Sequence, residues 1–565
     1  MNSPERAIQK KRQIELAQID RSSAEALHLF KKNTLKRLEM KTLLKEQHSR
    51  AIEECKFSEE RGLENCFFTV ADRFLTVYDS KHFGEHVSLL AQFKSERNLD
   101  ADVQAGDLFA ACWVSSTSIC SLEGTIAHER GDALVACAGE NKCVQVISLV
   151  KSAVARAFKG EHAEAVNLLA HNHRMFEDIV VSASEIEQVM CFWSFKEDRC
   201  VYKVTNVGKG LKSICLLNDG AIVCAFANQS KAKRIQFNIP SNKKYDDDDN
   251  NNVSSDDKNK NKKKEKKKEP IVIDLSDKKI EEKFVTLIDF GFKSKSSGID
   301  CIQAKEISED DADDAQFTSD YNNENDYNDD DDLLYEDNEN KNKKSKTPTT
   351  KTATTTPATA TKTKTKSSSS SSSSMRTSKR QILVAKNNVS EVSCVDFSNG
   401  FAEDKLKLKT LFKVENAKTA FPMAKTNSRR SATFGLSHDG SFIACGNGSR
   451  DGIVYVYDLC LSDTTDTTTN KTSDGSLIAK YLPHERHSGM MLDCIRSVAI
   501  SKDCRHVLAT TDANDSTSRA GILFRYEIIA DQLEEYQPPQ KKPASFSVDV
   551  CASAPTATAL AVVQK

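Results

Sequence analysis

What this chain lacks narrows its function before anything it contains. No apolar run approaches the roughly 20 residues that a helix needs to cross a bilayer, and the chain does not open on a signal peptide. A soluble intracellular protein is the expectation. Among 17 cysteines there is no CxxC pair, so buried free thiols in a reducing compartment are expected. No GxSxG elbow is present, and no cysteine sits in a recognisable nucleophile context. Gly446-Asn447-Gly448 lacks the lysine motif and following helix of a phosphate loop and reads as a hairpin turn. His171-Asn172-His173 and the His484, His487 pair each offer two metal ligands, but no third lies at a fitting spacing. Catalytic residues, cofactor and metal are therefore not expected.

Composition is the next constraint. The chain has 565 residues, 38% hydrophobic and 29% charged, which is too polar for one compact domain of that length. The imbalance is local. Residues 241–380 are mostly Lys, Asp, Asn, Thr and Ser, and such segments bury too little apolar surface to offset chain entropy. The net charge of −2 sums opposite blocks. Residues 262–268 form a lysine run broken by Glu265, and residues 306–339 are acidic. Solvated loops are the main reading of both; direct nucleic-acid binding is the minority one.

Elsewhere one pattern returns: an alternating apolar strand closing on an aromatic and a small acidic or polar residue. It reads Phe74-Leu75-Thr76-Val77-Tyr78-Asp79, Val189-Met190-Cys191-Phe192-Trp193-Ser194 and Ile453-Val454-Tyr455-Val456-Tyr457-Asp458, with weaker versions between. Asn218-Asp219-Gly220, Asp439-Gly440 and Asp451-Gly452 sit where adjacent strands must reverse. Repetition of a strand group with hairpin turns predicts an all-β, seven-bladed WD-repeat β-propeller, with an N-terminal helical arm and disordered loop insertions. The first unit runs through Tyr78 to about residue 93. The second uses 109–113, 133–137 and 144–149; the third, 166–170, 179–184 and 189–195. The fourth uses 213–217, 221–225, 234–237 and 284–288; the fifth, 299–302, 382–385, 392–397 and 410–414. The sixth takes 432–436, 442–445 and 453–459, and the seventh 495–500, 506–510 and 522–528.

In domain terms, residues 1–37 read as a basic helical arm and 38–240 as blades one to four. Residues 241–281 read as a low-complexity insertion, 282–303 as propeller strands, 304–380 as a second insertion and 381–537 as blades five to seven. Residues 538–565 form a tail with a ring-closing strand at Phe546-Ser547-Val548-Asp549-Val550.

The order of these strands resembles the extra sex combs/EED family, propeller subunits of Polycomb histone methyltransferase complexes. The likeness runs from Leu44-Lys45-Glu46-Gln47-His48 through Leu108-Phe109-Ala110-Ala111-Cys112-Trp113, Gly160-x-His162 and Ile299-Asp300-Cys301-Ile302. It ends with Ala444-Cys445-Gly446-Asn447 and Cys494-Ile495-Arg496. The resemblance implies a non-catalytic nuclear scaffold that grips a helix of a SET-domain methyltransferase and supports chromatin silencing. It also implies a histone-tail site, where an aromatic cage holds trimethyl-lysine by cation–π attraction. One cage aromatic falls on Phe109; a second falls near Glu53. An aromatic pair falls on Ala432 and Thr433, with Phe434 one place out of step. Trp113 and Arg496 match family residues, the latter near the peptide site. Phe109, Trp113, Phe434 and Arg496 are thus the candidate peptide-binding residues, with a plain core role as the alternative for Phe109 and Trp113. Other readings stay open: a propeller adaptor in another nuclear complex such as an origin-recognition assembly, a cytoplasmic interaction scaffold, and, last, an enzyme.

Overall fold

A computed structural model describes residues 24–528 except 47, 49, 61–62, 83–85, 97–104, 115–132, 173–177, 238–268, 295–296, 308–379, 402–405, 416–432, 447–451, 460–474, 483–494 and 515–518. After a helix, α1 (Ala24–Lys36), and a strand, β1 (Leu38–Glu46), the chain lays down seven sheets in turn. Blade 1 is β2 (Glu54–Phe57), β3 (Cys66–Ala71), β4 (Phe74–His82) and β5 (His86–Lys94). Blade 2 is β6 (Leu108–Val114), β7 (Leu134–Gly139), β8 (Val144–Ser148) and β9 (Ala153–Phe158). Blade 3 has β10 (Leu168–His171), β11 (Ile179–Ser184), β12 (Val189–Ser194) and β13 (Arg199–Thr205). Blade 4 has β14 (Leu211–Leu216), β15 (Ala221–Phe226) and β16 (Lys231–Gln236).

Between blades 4 and 5 the chain turns back on itself. β17 (Ile271–Asp274) adds to blade 3 as a fifth strand, parallel to β13 with Tyr202 opposite Ile271. Helix α2 (Lys278–Phe284), N-capped by Asp277, returns to β18 (Val285–Asp289), which completes blade 4. Blade 5 is β19 (Ile299–Ile307), β20 (Arg380–Asn387), β21 (Glu391–Asp396) and β22 (Lys407–Lys413). Blade 6 is β23 (Gly435–Leu436), β24 (Phe442–Cys445), β25 (Val454–Asp458) and β26 (Ser476–Tyr481). Blade 7 is β27 (Ser497–Ile500), β28 (His506–Asn514), β29 (Arg519–Ile528) and, as its outermost strand, β1.

The propeller is the seven-bladed ring that the strand repeat predicts. Its core is a set of interblade layers, because a sheet packed on both faces buries both faces of every middle strand. β12 shows the rule. Met190 and Phe192 pack towards blade 4, while Cys191 and Trp193 pack towards blade 2. Seven apolar clusters fill the seven junctions, blade 7 meeting blade 1 through Leu508 and Leu523 against Phe57 and Phe67. In six blades the fourth strand from the channel carries a one-residue bulge, at Leu90, Ala155, Val201, Lys409, Ile478 and Lys41.

Three boundaries differ from the sequence reading. Leu38–Glu46 does not open blade 1; it pairs with β29 from Leu38↔Ile528 to Glu46↔Gly521 and closes the last blade. The first and last described strands thus share one sheet, and residues 546–550 lie outside the described residues. The first insertion ends earlier than 281. Ile273 and Leu275 pack into the junction of blades 3 and 4 and order β17 and α2. The second begins later than 304, since Ala304 pairs with Leu383 and Ile307 with Arg380. Of the arm at 1–37, α1 is described and residues 1–23 lie outside.

Of the cysteines among the described residues, every one is a free thiol and all but Cys215 are buried. Burial pushes the Cys55, Cys66, Cys224 and Cys445 thiols up to about 12, where they stay protonated and unreactive. No described helix is long and apolar enough to cross a membrane.

Candidate partner-binding channel

The innermost strands line a central channel of about 270 Å3. Because each blade alternates strand direction, all seven innermost strands enter at one face, called the upper mouth, and leave at the other. Polar contacts stitch the wall from blade to blade. The Glu54 carboxylate accepts from Ala111 N–H at 3.1 Å, and Ser213 Oγ accepts from Ile302 N–H at 3.2 Å. Gln303 Nε2 donates to the Phe434 carbonyl at 2.6 Å. Thr433 Oγ1 donates to Ser497 Oγ at 2.8 Å, and Ser497 Oγ accepts from Cys55 N–H at 3.2 Å.

At the upper mouth three innermost strands carry a bulge at the same place. Leu108 opposes Gly139 and Ala110 opposes Ala138, which leaves Phe109 out of register. Lys212 and Asp300 are skipped in the same way in blades 4 and 5. A bulge bends its strand and re-aims the extra side chain; Lys212 and Asp300 stand in the channel wall, and Phe109 holds the matching register position in blade 2. Lys212 pairs with Glu185 of blade 3 at 3.0 Å. Lys212, Asp300 and Glu54 all line the channel.

At the lower mouth, Lys305 of blade 5 reaches Glu59 of blade 1 at 2.5 Å. Blades 6 and 7 lie between those two, so the pair is a strut across the channel. Burial works against ionisation of Glu59, yet Lys305, Lys56 and His438 outweigh it and hold its carboxyl well below the usual range. The chemical result is a pit braced by charge at its floor and rimmed by mixed charge.

The four residues singled out from sequence take different places. Phe109 is half-buried at the bulge. The Trp113 side chain lies in the junction of blades 1 and 2, 5.7 Å from the Phe68 ring, with Nε1 donating to the Lys56 carbonyl at 3.1 Å. Phe434 is fully buried between blades 5 and 6. Arg496 is 3% exposed, and its carbonyl accepts from Thr433 N–H at 2.7 Å, next to Phe434. Phe434 and Arg496 are therefore neighbours, while the two aromatic side chains of Trp113 and Phe434 occupy separate core layers. Ala432 lies outside the described residues. Lys212 and Asp300 were missed; a charged residue breaking the apolar runs Leu211-Lys212-Ser213 and Ile299-Asp300-Cys301 was the available signal.

One further network identifies the repeat. In blade 3, His162 Nε2 accepts from Ser182 Oγ at 2.7 Å, and Trp193 Nε1 donates to the same hydroxyl at 2.7 Å. His162 Nδ1 donates to Glu187 at 3.0 Å in the turn between β11 and β12. Glu187 can only accept, which fixes the imidazole tautomer. Burial opposes the charge on Glu187, but the bonds from His162 and from the Ala163 and Glu164 N–H groups keep its carboxyl below the ordinary value. No group of three or more metal-ligating side chains occurs among the described residues; His171 Nδ1 meets the Ile179 carbonyl, and His173, His484 and His487 lie outside.

The seven-bladed fold, with this hydrogen-bonded unit in blade 3, defines a WD-repeat-like β-propeller, an architecture consistent with a protein-interaction scaffold. No protein-family model matches the chain, and no curated protein matches it in sequence.

Proposed function

We propose that this protein is a non-catalytic nuclear scaffold, similar in role to the EED family, that supports a SET-domain histone lysine methyltransferase in chromatin silencing. The observation that carries the reading is the bulged upper mouth. Phe109, the residue where the resemblance puts a cage aromatic, sits at the same structural position as Asp300 and Lys212. The Asp300 carboxylate in the channel wall and the half-buried Phe109 at the matching bulge of blade 2 suit a basic tail, by charge pairing and by cation–π attraction. The partner helix would occupy a groove on the propeller surface, recognised by its apolar face.

Purification of the tagged protein from nuclear extract, with mass spectrometry of what accompanies it, tests the reading. A SET-domain methyltransferase in stoichiometric yield supports it. Origin-recognition or cytoplasmic proteins in its place would move the protein to another adaptor class. For the tail site, Asp300→Asn should weaken binding of a lysine-rich histone peptide several-fold in low salt.

A further inference from the structure

The outermost strands of the propeller are not alike. β9, β22, β26 and β1, which end their sheets, carry Arg156, Lys409, Lys480 and Lys41, whereas β18 (Val-Thr-Leu-Ile-Asp) carries no cation. Charge there protects an edge, whose unpaired N–H and C=O groups would otherwise recruit another strand. β5 has no such guard. Residues 87–93, Val-Ser-Leu-Leu-Ala-Gln-Phe, contain no charge, and Leu89 and Leu90 are 55% and 48% exposed. β5 ends its sheet, with no described strand on its outer side. Blade 3 shows that an outer edge in this ring takes a fifth strand, because β17 (Ile-Val-Ile-Asp) is added to β13, even though β13 carries Lys203.

The sequence also holds a strand-like pattern whose expected ring-closing position is taken by β1. Phe546-Ser547-Val548-Asp549-Val550 alternates apolar and polar residues, and the closing position in blade 7 belongs to β1. β29 ends at Ile528 in the blade adjoining blade 1. The 17 residues from 529 to 545 can extend to roughly 60 Å. Sheets packed face to face stand only about 10 Å apart, so the connector spans the junction easily. A second copy is a poorer occupant: one nine-residue strand falls short of the roughly 20–30 residues a side of a stable interface.

We propose that residues 546–550 add to the outer edge of β5 as a fifth strand, tying the C-terminal tail across the junction of the last and first blades. This goes beyond the scaffold reading and does not depend on it.

Hydrogen exchange of the full chain, followed by mass spectrometry, is the test. In a strand paired on one side, alternate amides face outward and exchange freely, so coverage is visible directly. Val548→Asp in the full chain, and separately ending the chain at Pro538, should speed exchange within residues 87–93 by about tenfold or more. A peptide of residues 541–555 added to the shortened chain should restore protection. Unchanged exchange in β11 and β12 shows that each variant is folded, and Leu90→Lys in the full chain should release residues 546–550 in turn. Equal exchange at residues 87–93 in all chains would overturn the proposal. So would protection that survives shortening and rises with protein concentration, which would place a second copy on the edge.

Discussion

Blades 3 and 1 each hold a buried polar knot around a hydrogen-bonded histidine, and they build it from different parts of the chain. In blade 3 the knot is local: His162, Ser182, Glu187 and Trp193 lie within 32 residues. In blade 1 its centre is a carboxylate on loan. Glu46 ends β1, a strand of blade 7, yet it accepts from Thr69 at 2.5 Å, from Tyr78 at 2.8 Å and from His48 at 2.6 Å. The first knot can form as soon as its blade does. The second exists only after the ring has closed. Closure is reinforced outside the sheet, where α1 packs on blade 6. His28 stacks on Phe442 with centroids 4.8 Å apart, Lys31 pairs with Asp439 at 2.6 Å, and Lys32 pairs with Asp458 at 2.7 Å.

Trp193→Ala should have the largest effect on this comparison. It removes a fully buried indole and leaves Ser182 and His162 unsupported, for a loss of about 3–5 kcal/mol in denaturant unfolding. Exchange at the β1–β29 pair should stay slow in that variant while any native protein remains. Glu46→Ala should cost about 3 kcal/mol, since the buried Thr69 and His48 and the half-buried Tyr78 lose their acceptor together. It should also do what Trp193→Ala does not, by accelerating exchange along β1. If both variants loosen β1 equally, the distinction between a local and a closure-dependent knot fails. Lys31→Met should be milder, about 1 kcal/mol, because the pair is partly exposed. Its mark should be faster exchange confined to α1.

The smallest expected effect is one of pH. Glu527, on β29 beside β1, is opposed by burial, yet His506, Lys41 and Arg525 lower its carboxyl to about 2. A carboxylate depressed in the folded state stabilises above its unfolded value, near 4.5, and that stability is lost as pH falls towards 2. The melting-temperature gap between the wild type and Glu527→Gln should therefore be full above about pH 5 and close in acid. A gap independent of pH would mean that Glu527 acts by packing alone.

The middle strands were legible because both faces are buried. Val189-Met190-Cys191-Phe192-Trp193 is apolar at every position, and no other soluble arrangement of so short a run repeats in this way. Outer strands were harder to read. β9, β13 and β26 are half-exposed and broken by Arg156, Lys203 and Lys480, so nothing in their local pattern separates them from a loop. β17 was hidden by its neighbours: Ile271-Val272-Ile273 follows a lysine run, and its apolar signal was absorbed into a low-complexity block. Phe109 was legible only through resemblance, and the bulge that groups it with Lys212 and Asp300 is a property of strand register.

By itself the sequence determined the repeat, the count of seven and the middle strands, because short runs apolar on both faces and separated by hairpin turns recur at regular intervals. It also determined which thiols are core, since they sit within those runs. Tertiary structure alone decided which strand closes the ring, where Glu46 does its work, that Lys305 and Glu59 span the channel, and that Phe434 is buried while Phe109 is half-buried at a bulge. Each of these depends on residues far apart in the chain meeting at one place, and local pattern carries no measure of that distance.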